Sequence, residues 1–180
     1  MHECGIVHRD LNPKNVFLCF EYLKPTQKFD LSAATVKIID FNVSKMGCKT
    51  ENFEMSVSMM SNTQIQNQKL SSNRIGTPLY RAPELWTMLG TYTEAVDLWG
   101  IGCVVYALAV GQDAFRPCLD LSKNIRTGNY DKSCDRFQQL EPELVHLISG
   151  LLWVDYEDRM TSAQLNQHPW LCQNLEFMII

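Results

Sequence analysis

The octapeptide HRDLNPKN at residues 8–15 is the stretch on which the fold depends, and it runs directly into the apolar segment VFLC at residues 16–19. Within it, a carboxylate at Asp10 and an amide at Asn15 flank the cation Lys14. Polar residues of this kind favour turns, whereas the β-branched and aromatic residues that follow favour a strand. The stretch therefore predicts a compact polar loop that leads into a strand.

A second carboxylate, Asp40, follows another β-branched run, TVKII at residues 35–39. If the two strands pair as a hairpin, Asp10, Asn15 and Asp40 come together at its end. Mg²⁺ is held by a few carboxylate and amide oxygens, with phosphate and water completing its coordination. The pattern thus points to the chemistry of phosphoryl transfer.

Five motifs, in the same order along the chain, resemble those of the protein kinase family. The octapeptide is similar to the kinase catalytic loop, and Asp40-Phe41-Asn42 is similar to the DFG motif. The other three are similar to the end of the activation segment, the start of the central helix and the final helices: GTPLYRAPE at 76–84, DLWGIG at 97–102, and Asp158-Arg159 followed by HPW at 168–170. Together the motifs span nearly the whole chain.

The resemblance implies a mainly α fold over residues 1–180, the large C-terminal lobe of a kinase with a small β-hairpin at the catalytic loop. No glycine-rich loop, strand lysine or helix glutamate of the small lobe is recognisable, so the N-terminal β lobe is expected to be absent. Residues 1–5 resemble a last helical turn closed by Gly5. A single turn is not stable alone, so we expect the chain to start inside an element and the small lobe to be its partner in cis.

The composition limits the classes of protein that the chain can represent. With 180 residues, 46% of them hydrophobic, it can form one domain with its own core, and its net charge of −4 offers no basic surface for nucleic acid. Seven cysteines without a CxxC pair argue against a disulfide framework or a zinc site. The most apolar window, residues 95–110, is shorter than the roughly 20 residues of a membrane span. Since no signal peptide is recognisable either, we expect a cytoplasmic protein, with the nucleus as an open alternative.

Two long connections interrupt the motifs. Residues 19–30 exceed an ordinary hairpin loop and are interpreted as a surface insertion, and the following strand at 35–39 is predicted to be buried. Residues 43–75 lack periodicity and are rich in Ser, Asn, Gln and Met, which predicts a long, disordered activation segment. A regulatory role is compatible with that disorder, and the candidate phosphorylation sites are Thr63, Ser71 and Ser72.

The remainder of the chain is predicted to be helical. The segment 95–110 is apolar on every side, which indicates burial at the centre of the domain. Asp97 within it must be paired, because burying a lone carboxylate is costly. Thr91 or Thr93 is expected to cap this helix, and Thr161 to open the final helix through a capping box. The other predicted helices span residues 85–89, 119–125 and 142–153.

The resemblance implies a role for each metal-competent residue. Asp10 would be the catalytic base that accepts the proton of the substrate hydroxyl, and Asn15 and Asp40 would hold Mg²⁺ and, with it, ATP. The alternatives are a turn former for Asp10, a turn cap for Asn15 and the start of an Asx-turn for Asp40. The occurrence of the two motifs together favours the catalytic and metal-binding roles over these alternatives.

Three positions depart from or qualify the family pattern. Asn12 stands where serine/threonine kinases usually have a lysine that steadies the γ-phosphate. Lys14, two residues further on, is hypothesised to supply the missing charge, so Asn12 and Lys14 join Asp10 as candidate catalytic residues. The charge of Lys14 also predicts that basic residues near the acceptor are only weakly preferred. Asn42 replaces the usual glycine, and asparagine tolerates the left-handed backbone well.

Two interpretations of Arg9 are open. It is either a solvated surface arginine or a ligand for a phosphate on the activation segment. The usual acceptor position is Asn73, so Ser71 or Ser72 would have to carry that phosphate. Thr77, within its GTPLY context, and Pro13 resemble serine/threonine rather than tyrosine kinases.

Structural contacts are also implied by the family. Asp97 is expected to hold the main chain around residues 8–10, and His8 to contact Phe41. Glu84 and Arg159 are expected to form the buried ion pair that anchors the activation segment.

The expected function is that of an ATP- and Mg²⁺-dependent protein serine/threonine kinase acting on Ser and Thr hydroxyls of proteins. Its closing motifs are most similar to those of calcium/calmodulin-regulated and calcium-dependent kinases. The alternative is a kinase-like binding module with little phosphotransfer. Asn12, Asn42 and the missing small lobe favour that alternative, whereas Asp10, Asn15 and Asp40 oppose it.

Overall fold

A computed structural model describes residues 1–20, 34–46, 76–87 and 92–175. Several sequence predictions lie outside these residues. They are most of the insertion at 19–30, the segment 47–75 with Thr63, Ser71, Ser72 and Asn73, the end of the predicted helix at 85–89, and the proposed cap Thr91.

The predicted hairpin is present. Strand β2 (Val16–Cys19) pairs antiparallel with β3 (Thr35–Ile38), and Val16 lies opposite Ile38. This pairing confirms the prediction drawn from the two β-branched runs, and it brings the ends of the catalytic-loop motif and the DFG-like motif to one place.

A second strand pair was not predicted. Strand β1 (Ile6–Val7) pairs antiparallel with β4 (Lys45–Met46). Strands of two residues are too short to show an alternating pattern. Because β4 lies within residues 43–75, the prediction of disorder was wrong for the beginning of that segment.

The prediction that the strand at 35–39 is buried was also wrong. All four residues of β3 are exposed, and Val36 keeps 61% of its surface. β-Branched residues favour an extended backbone whether or not a strand is covered, so the composition indicated the strand correctly but not its burial.

Helix α1 (Ala95–Val110) has the predicted bounds. It ends at Gly111, whose φ of 79° lets its amide donate to Ala107 O at 2.8 Å. At its start, Thr93 Oγ1 accepts from the amide of Ala95. The prediction of burial on all sides is correct for the first half only, because Leu108 is 79% exposed.

The remaining helices follow α1, and short 3₁₀ turns precede it. The helices are α2 (Leu121–Arg126), α3 (Asp135–Gln138), α4 (Pro142–Leu151), α5 (Ser162–Asn166) and α6 (Pro169–Leu175). The 3₁₀ turns are His2–Cys4, Phe41–Val43, Pro78–Tyr80 and Pro83–Trp86.

These bounds correct three predictions. The helix expected at 85–89 is, where described, a 3₁₀ turn that begins at Pro83. Thr161 forms the predicted capping box with Gln164, but α5 is not the final helix, because α6 follows it. The four-residue helix α3 was missed, since one turn carries no usable periodicity.

The core surrounds α1. Trp99 and Tyr106 are fully buried, and Tyr106 contacts the rings of Tyr130 and Phe137. Helix α4 packs closely at Gly102, where a Cβ would lie 2.8 Å from Leu151 Cβ. The polar loops therefore pack against a central apolar helix.

A buried ion pair fastens residues 76–87 to this core. Arg159 Nη1 and Nη2 donate to the two carboxylate oxygens of Glu84 at 2.8 and 2.9 Å. Arg159 also donates to the carbonyls of Ala95, Trp153 and Val154. The predicted contact is therefore present, and the guanidinium is fully occupied inside the protein.

Substitution of Glu84 by Gln is expected to lower the free energy of unfolding by about 3–5 kcal/mol, because it leaves the Arg159 charge buried and unpaired. Urea unfolding measures this loss. The matched control is Arg116→Met, which removes an exposed pair with Asp131 and should cost less than about 1 kcal/mol. Equal losses in the two variants would contradict the anchoring role.

Two stacked histidines join α4 to the start of α6. His168 Nε2 lies 2.8 Å from His146 Nδ1, and His168 Nδ1 accepts from the amide of Trp170 at 3.2 Å. His168 is therefore the donor to His146. Burial lowers the pKa of His168 below its ordinary 6.5, and the His146 ring lowers it further against the opposing charge of Glu143.

Because the folded-state pKa of His168 is lowered, the unfolded chain binds the proton more readily, and stability should fall as the pH drops below about 6.5. Asn at position 168 can still accept from the Trp170 amide but cannot titrate. His168→Asn should therefore flatten the dependence of the melting temperature on pH between about 7 and 5. An unchanged slope would show that the histidine pair is not its source.

Candidate active site

The backbone of the HRDLNPKN loop is held by Asp97, in the first turn of α1. Asp97 is 1% exposed, and its carboxylate accepts from the amides of His8 and Arg9, both at 2.8 Å. His2 Nε2 lies 2.9 Å from the same carboxylate. The contact between Asp97 and the catalytic-loop main chain that the resemblance implied is present.

The carboxylate of Asp10 is surrounded by donors. Oδ1 accepts from the amide of Thr77 at 2.7 Å and from Asn12 Nδ2 at 3.1 Å, and Oδ2 accepts from Asn15 Nδ2 at 3.3 Å. Three fixed donors restrict the rotation of the carboxylate. Such a group is oriented to accept a proton from a hydroxyl that approaches it.

Asn15 and Asp40 lie at the same end of the hairpin. Asn15 Nδ2 donates to Asp10 O at 2.9 Å, which leaves its carbonyl oxygen Oδ1 available to a cation. The amide of Ile39, the residue before Asp40, donates to Asn15 O at 2.9 Å. Asp40 is exposed and adopts φ 64°, and its carboxylate accepts a long bond from the amide of Asn42 at 3.4 Å.

Asp10, Asp40 and Asn15 provide two carboxylates and one amide, which is a small set of metal ligands. In the described parts of the chain, no group of three or more His, Cys, Asp or Glu side chains could hold a metal ion. Mg²⁺ commonly takes one or two protein carboxylates and completes its octahedron with phosphate and water. The oxygens of Asn15 and Asp40 therefore fit a magnesium ion better than a transition metal.

His8 couples the loop to the DFG-like turn. It is fully buried, its Nε2 lies 2.9 Å from Ile39 O, and its ring meets that of Phe41 edge to face with centroids 4.7 Å apart. The expected contact with Phe41 is present, although Phe41 remains 47% exposed.

Arg9 contacts protein groups in this structure. Its φ is 69°, its Nε donates to Val43 O, and its Nη1 donates to the hydroxyl of Tyr92 at 2.7 Å while the guanidinium lies 5.4 Å from the Tyr92 ring centre. It is thus not a fully solvated arginine, and its role as a phosphate ligand stays a prediction. Its proposed partners Ser71 and Ser72 lie outside the described residues.

The side chain of Asn12 is buried and fully used. Its Nδ2 donates to Asp10 O and Oδ1 and to Thr77 Oγ1, and its Oδ1 accepts from the amide of Lys14. Lys14 is exposed, and no ion pair joins it to Asp10 in the described structure. Asn12 is therefore part of the scaffold of Asp10, and the compensating role of Lys14 stays a prediction.

Two residues next to Thr77 were missed as site residues. Gly76 has φ 78°, and a Cβ there would lie 2.8 Å from Arg9 O, so glycine is required for the segment to lie on the catalytic loop. Arg81 is 7% exposed and donates to Gly76 O at 3.1 Å. The motif quoted for this segment contained both residues, but only their packing reveals what they hold.

Comparison with known proteins agrees with this geometry. The protein kinase domain family matches residues 1–171. A probable myosin light chain kinase of Dictyostelium discoideum is 31% identical over 180 residues, which is 97% of this chain and 49% of that protein. The calcium/calmodulin-dependent protein kinase type II alpha chain of Drosophila melanogaster is 29% identical, and calcium-dependent protein kinase 4 of Plasmodium berghei is 28% identical. These two matches cover 96% and 95% of this chain, and 28% of each relative.

The chain belongs to the protein kinase family. It spans about half the length, or less, of these curated relatives. Every helix among the described residues is too short or too polar to cross a membrane.

Asp97→Asn is expected to lower the free energy of unfolding by about 1–3 kcal/mol. The side-chain nitrogen that replaces one carboxylate oxygen cannot accept a hydrogen bond, so the backbone N–H of either His8 or Arg9 loses its partner. Urea unfolding of this variant and of Asp120→Asn provides the comparison. Asp120 is exposed, so its substitution should change stability by less than about 0.5 kcal/mol. Indistinguishable variants would argue against Asp97 as the anchor of the loop.

Proposed function

We propose that the chain is the large lobe of a protein serine/threonine kinase, which transfers the γ-phosphoryl group of ATP to Ser and Thr hydroxyls of protein substrates. The observation that carries this proposal is the oriented carboxylate of Asp10, with Asn15 bonded to it and Asp40 at the end of the paired strand. Family membership supports the reaction class.

Asp10 is the proposed base. The acceptor hydroxyl gives its proton to the Asp10 carboxylate while its oxygen bonds to the γ-phosphorus, and the bond to the β-phosphate oxygen breaks. The Thr77 amide and the Asn12 side chain keep the carboxylate oriented during this step. General-base assistance of this kind contributes about 10²- to 10⁴-fold to a rate.

Asn15 and Asp40 are the proposed magnesium ligands. The Asn15 side chain is fixed through its nitrogen by Asp10, so its oxygen is oriented without further ordering. The ion would neutralise phosphate charge and orient the nucleotide. We assign ATP and Mg²⁺ as cofactors on this basis, and the need for both suggests an intracellular, cytoplasmic or nuclear, location.

The assignment to the large lobe is supported by the exposed apolar surface of the hairpin and the turn after it. The large apolar side chains there are exposed by 39% to 61%, namely Phe17, Leu18, Val36, Ile38, Ile39 and Phe41. Exposed large apolar side chains concentrated on one element usually mark an interaction site. We propose that the small lobe, in cis, and the adenine of ATP cover this surface, so the chain by itself should bind ATP weakly.

The serine/threonine assignment is supported by Thr77, whose hydroxyl accepts from Asn12 beside Asp10, and by the names of the relatives. A second candidate, a kinase-like binding module, is favoured by one observation, the neutral Asn12 where the family usually has lysine.

The test is a phosphotransfer assay on the protein expressed with its complete reading frame. Asp10→Asn should reduce transfer to a generic Ser/Thr protein substrate by about 10²-fold or more, because it removes the base. Asp40→Asn should be similarly impaired, with part of its activity restored by raising the Mg²⁺ concentration.

Asp120→Asn is the matched control, an exposed aspartate distant in sequence from the site, and should retain wild-type activity. A wild-type protein no more active than Asp10→Asn would reject the kinase assignment and leave the binding module.

A further inference from the structure

One peptide unit lies between two charged groups of the site. The N–H of Thr77 donates to Asp10 Oδ1 at 2.7 Å, and the C=O of the same unit, from Gly76, accepts from Arg81 Nη2 at 3.1 Å. The N–H and C=O of a trans peptide point in opposite directions. The Asp10 carboxylate and the Arg81 guanidinium therefore lie on opposite sides of this unit, aligned with its dipole.

Arg81 is held as a fixed buried charge. Its guanidinium lies 4.8 Å from the centre of the Trp86 ring, and Trp86 Nε1 donates back to Arg81 O at 3.3 Å. Burial lowers the pKa of Arg81, whereas the Asp10 carboxylate acts in the opposite direction and favours the charged form. Charges in such a poorly solvated place interact more strongly than they do in water.

Within the described part of the catalytic loop, neither Asn12 nor Lys14 brings a positive charge into contact with Asp10. Asn12, which occupies the usual lysine position, is neutral and buried, and its hydrogen bonds go to Asp10, Thr77 and Lys14. Lys14 is exposed, whereas Arg81 is 7% exposed and contacts the peptide that binds Asp10.

We propose that Arg81, acting through the Gly76–Thr77 peptide, supplies to Asp10 the positive charge that Asn12 does not bring. Arg81 polarises the peptide, which strengthens the Thr77 N–H bond to the carboxylate and keeps Asp10 oriented. It is a positioning residue, because it acts on Asp10 through another group. The inference rests on the proposed function and assigns the missing charge to Arg81 rather than to Lys14.

The test compares kinetic constants of variants of the protein with its complete reading frame. Arg81→Met keeps an apolar side chain against Trp86 and removes the charge. It should lower kcat by about tenfold or more with KM for ATP within about twofold, because the charge acts on the base and not on nucleotide binding. Arg81→Lys should be intermediate. Arg116→Met is the matched control and should match the wild type.

Asn12→Lys provides the decisive rescue. A lysine there should restore most of kcat in the Arg81→Met background, because it brings a positive charge next to Asp10. The inference is overturned if Arg81→Met stays within twofold of the wild type, if Lys14→Met loses more than Arg81→Met, or if Asn12→Lys restores nothing.

A measurement without catalysis separates this inference from the proposed function. In a double-mutant cycle on urea unfolding, Asp10→Asn and Arg81→Met should be non-additive, the double variant losing less stability than the sum of the two single losses. Additive losses overturn the coupling. A wild-type protein without phosphotransfer rejects the proposed function, and the cycle still decides whether Arg81 acts on Asp10. If Arg81→Met does not fold, the neutral variant Arg81→Gln takes its place in both experiments.

Discussion

The buried carboxylate of Asp97 determines where the candidate site lies. It stands in the first turn of α1 and accepts from the backbone of His8 and Arg9, so a loop of polar residues is fixed to the central apolar helix. A carboxylate at that depth is stable only because it is satisfied by several donors. This contact also fixes the position of the residues that follow, beginning with Asp10.

Two further attachments bring the second half of the site to the first. The Glu84–Arg159 pair fixes residues 76–87 to the helical core, and the glycine at position 76 lets that segment lie directly on the catalytic loop. The amide of Thr77 then reaches Asp10. The ion pair and the Thr77–Asp10 hydrogen bond both require one particular geometry. Together they hold residues 76–87 against the helical core and against the catalytic loop.

Long patterns were predicted well and short ones were not. The bounds of α1, the β2–β3 pairing and the capping box of α5 follow from hydrophobic runs, β-branched runs and a four-residue motif. The two-residue strands β1 and β4 and the helix α3 were missed, because their residues lack a detectable period. The burial of β3 was predicted wrongly, since burial depends on what covers a strand and not on its own composition.

The amino-acid sequence by itself determined the family, the candidate base and the candidate metal ligands, because these follow from residue types at set spacings. It also indicated that Asp97 must have partners, since a buried carboxylate cannot remain unpaired. Only the tertiary structure decided that the Asn12 side chain is hydrogen-bonded to Asp10, that Arg9 contacts Tyr92, and that Arg81 faces Asp10 across one peptide unit. Those relations join residues up to about 80 positions apart, and a sequence pattern carries no information on which distant donor a given acceptor will meet.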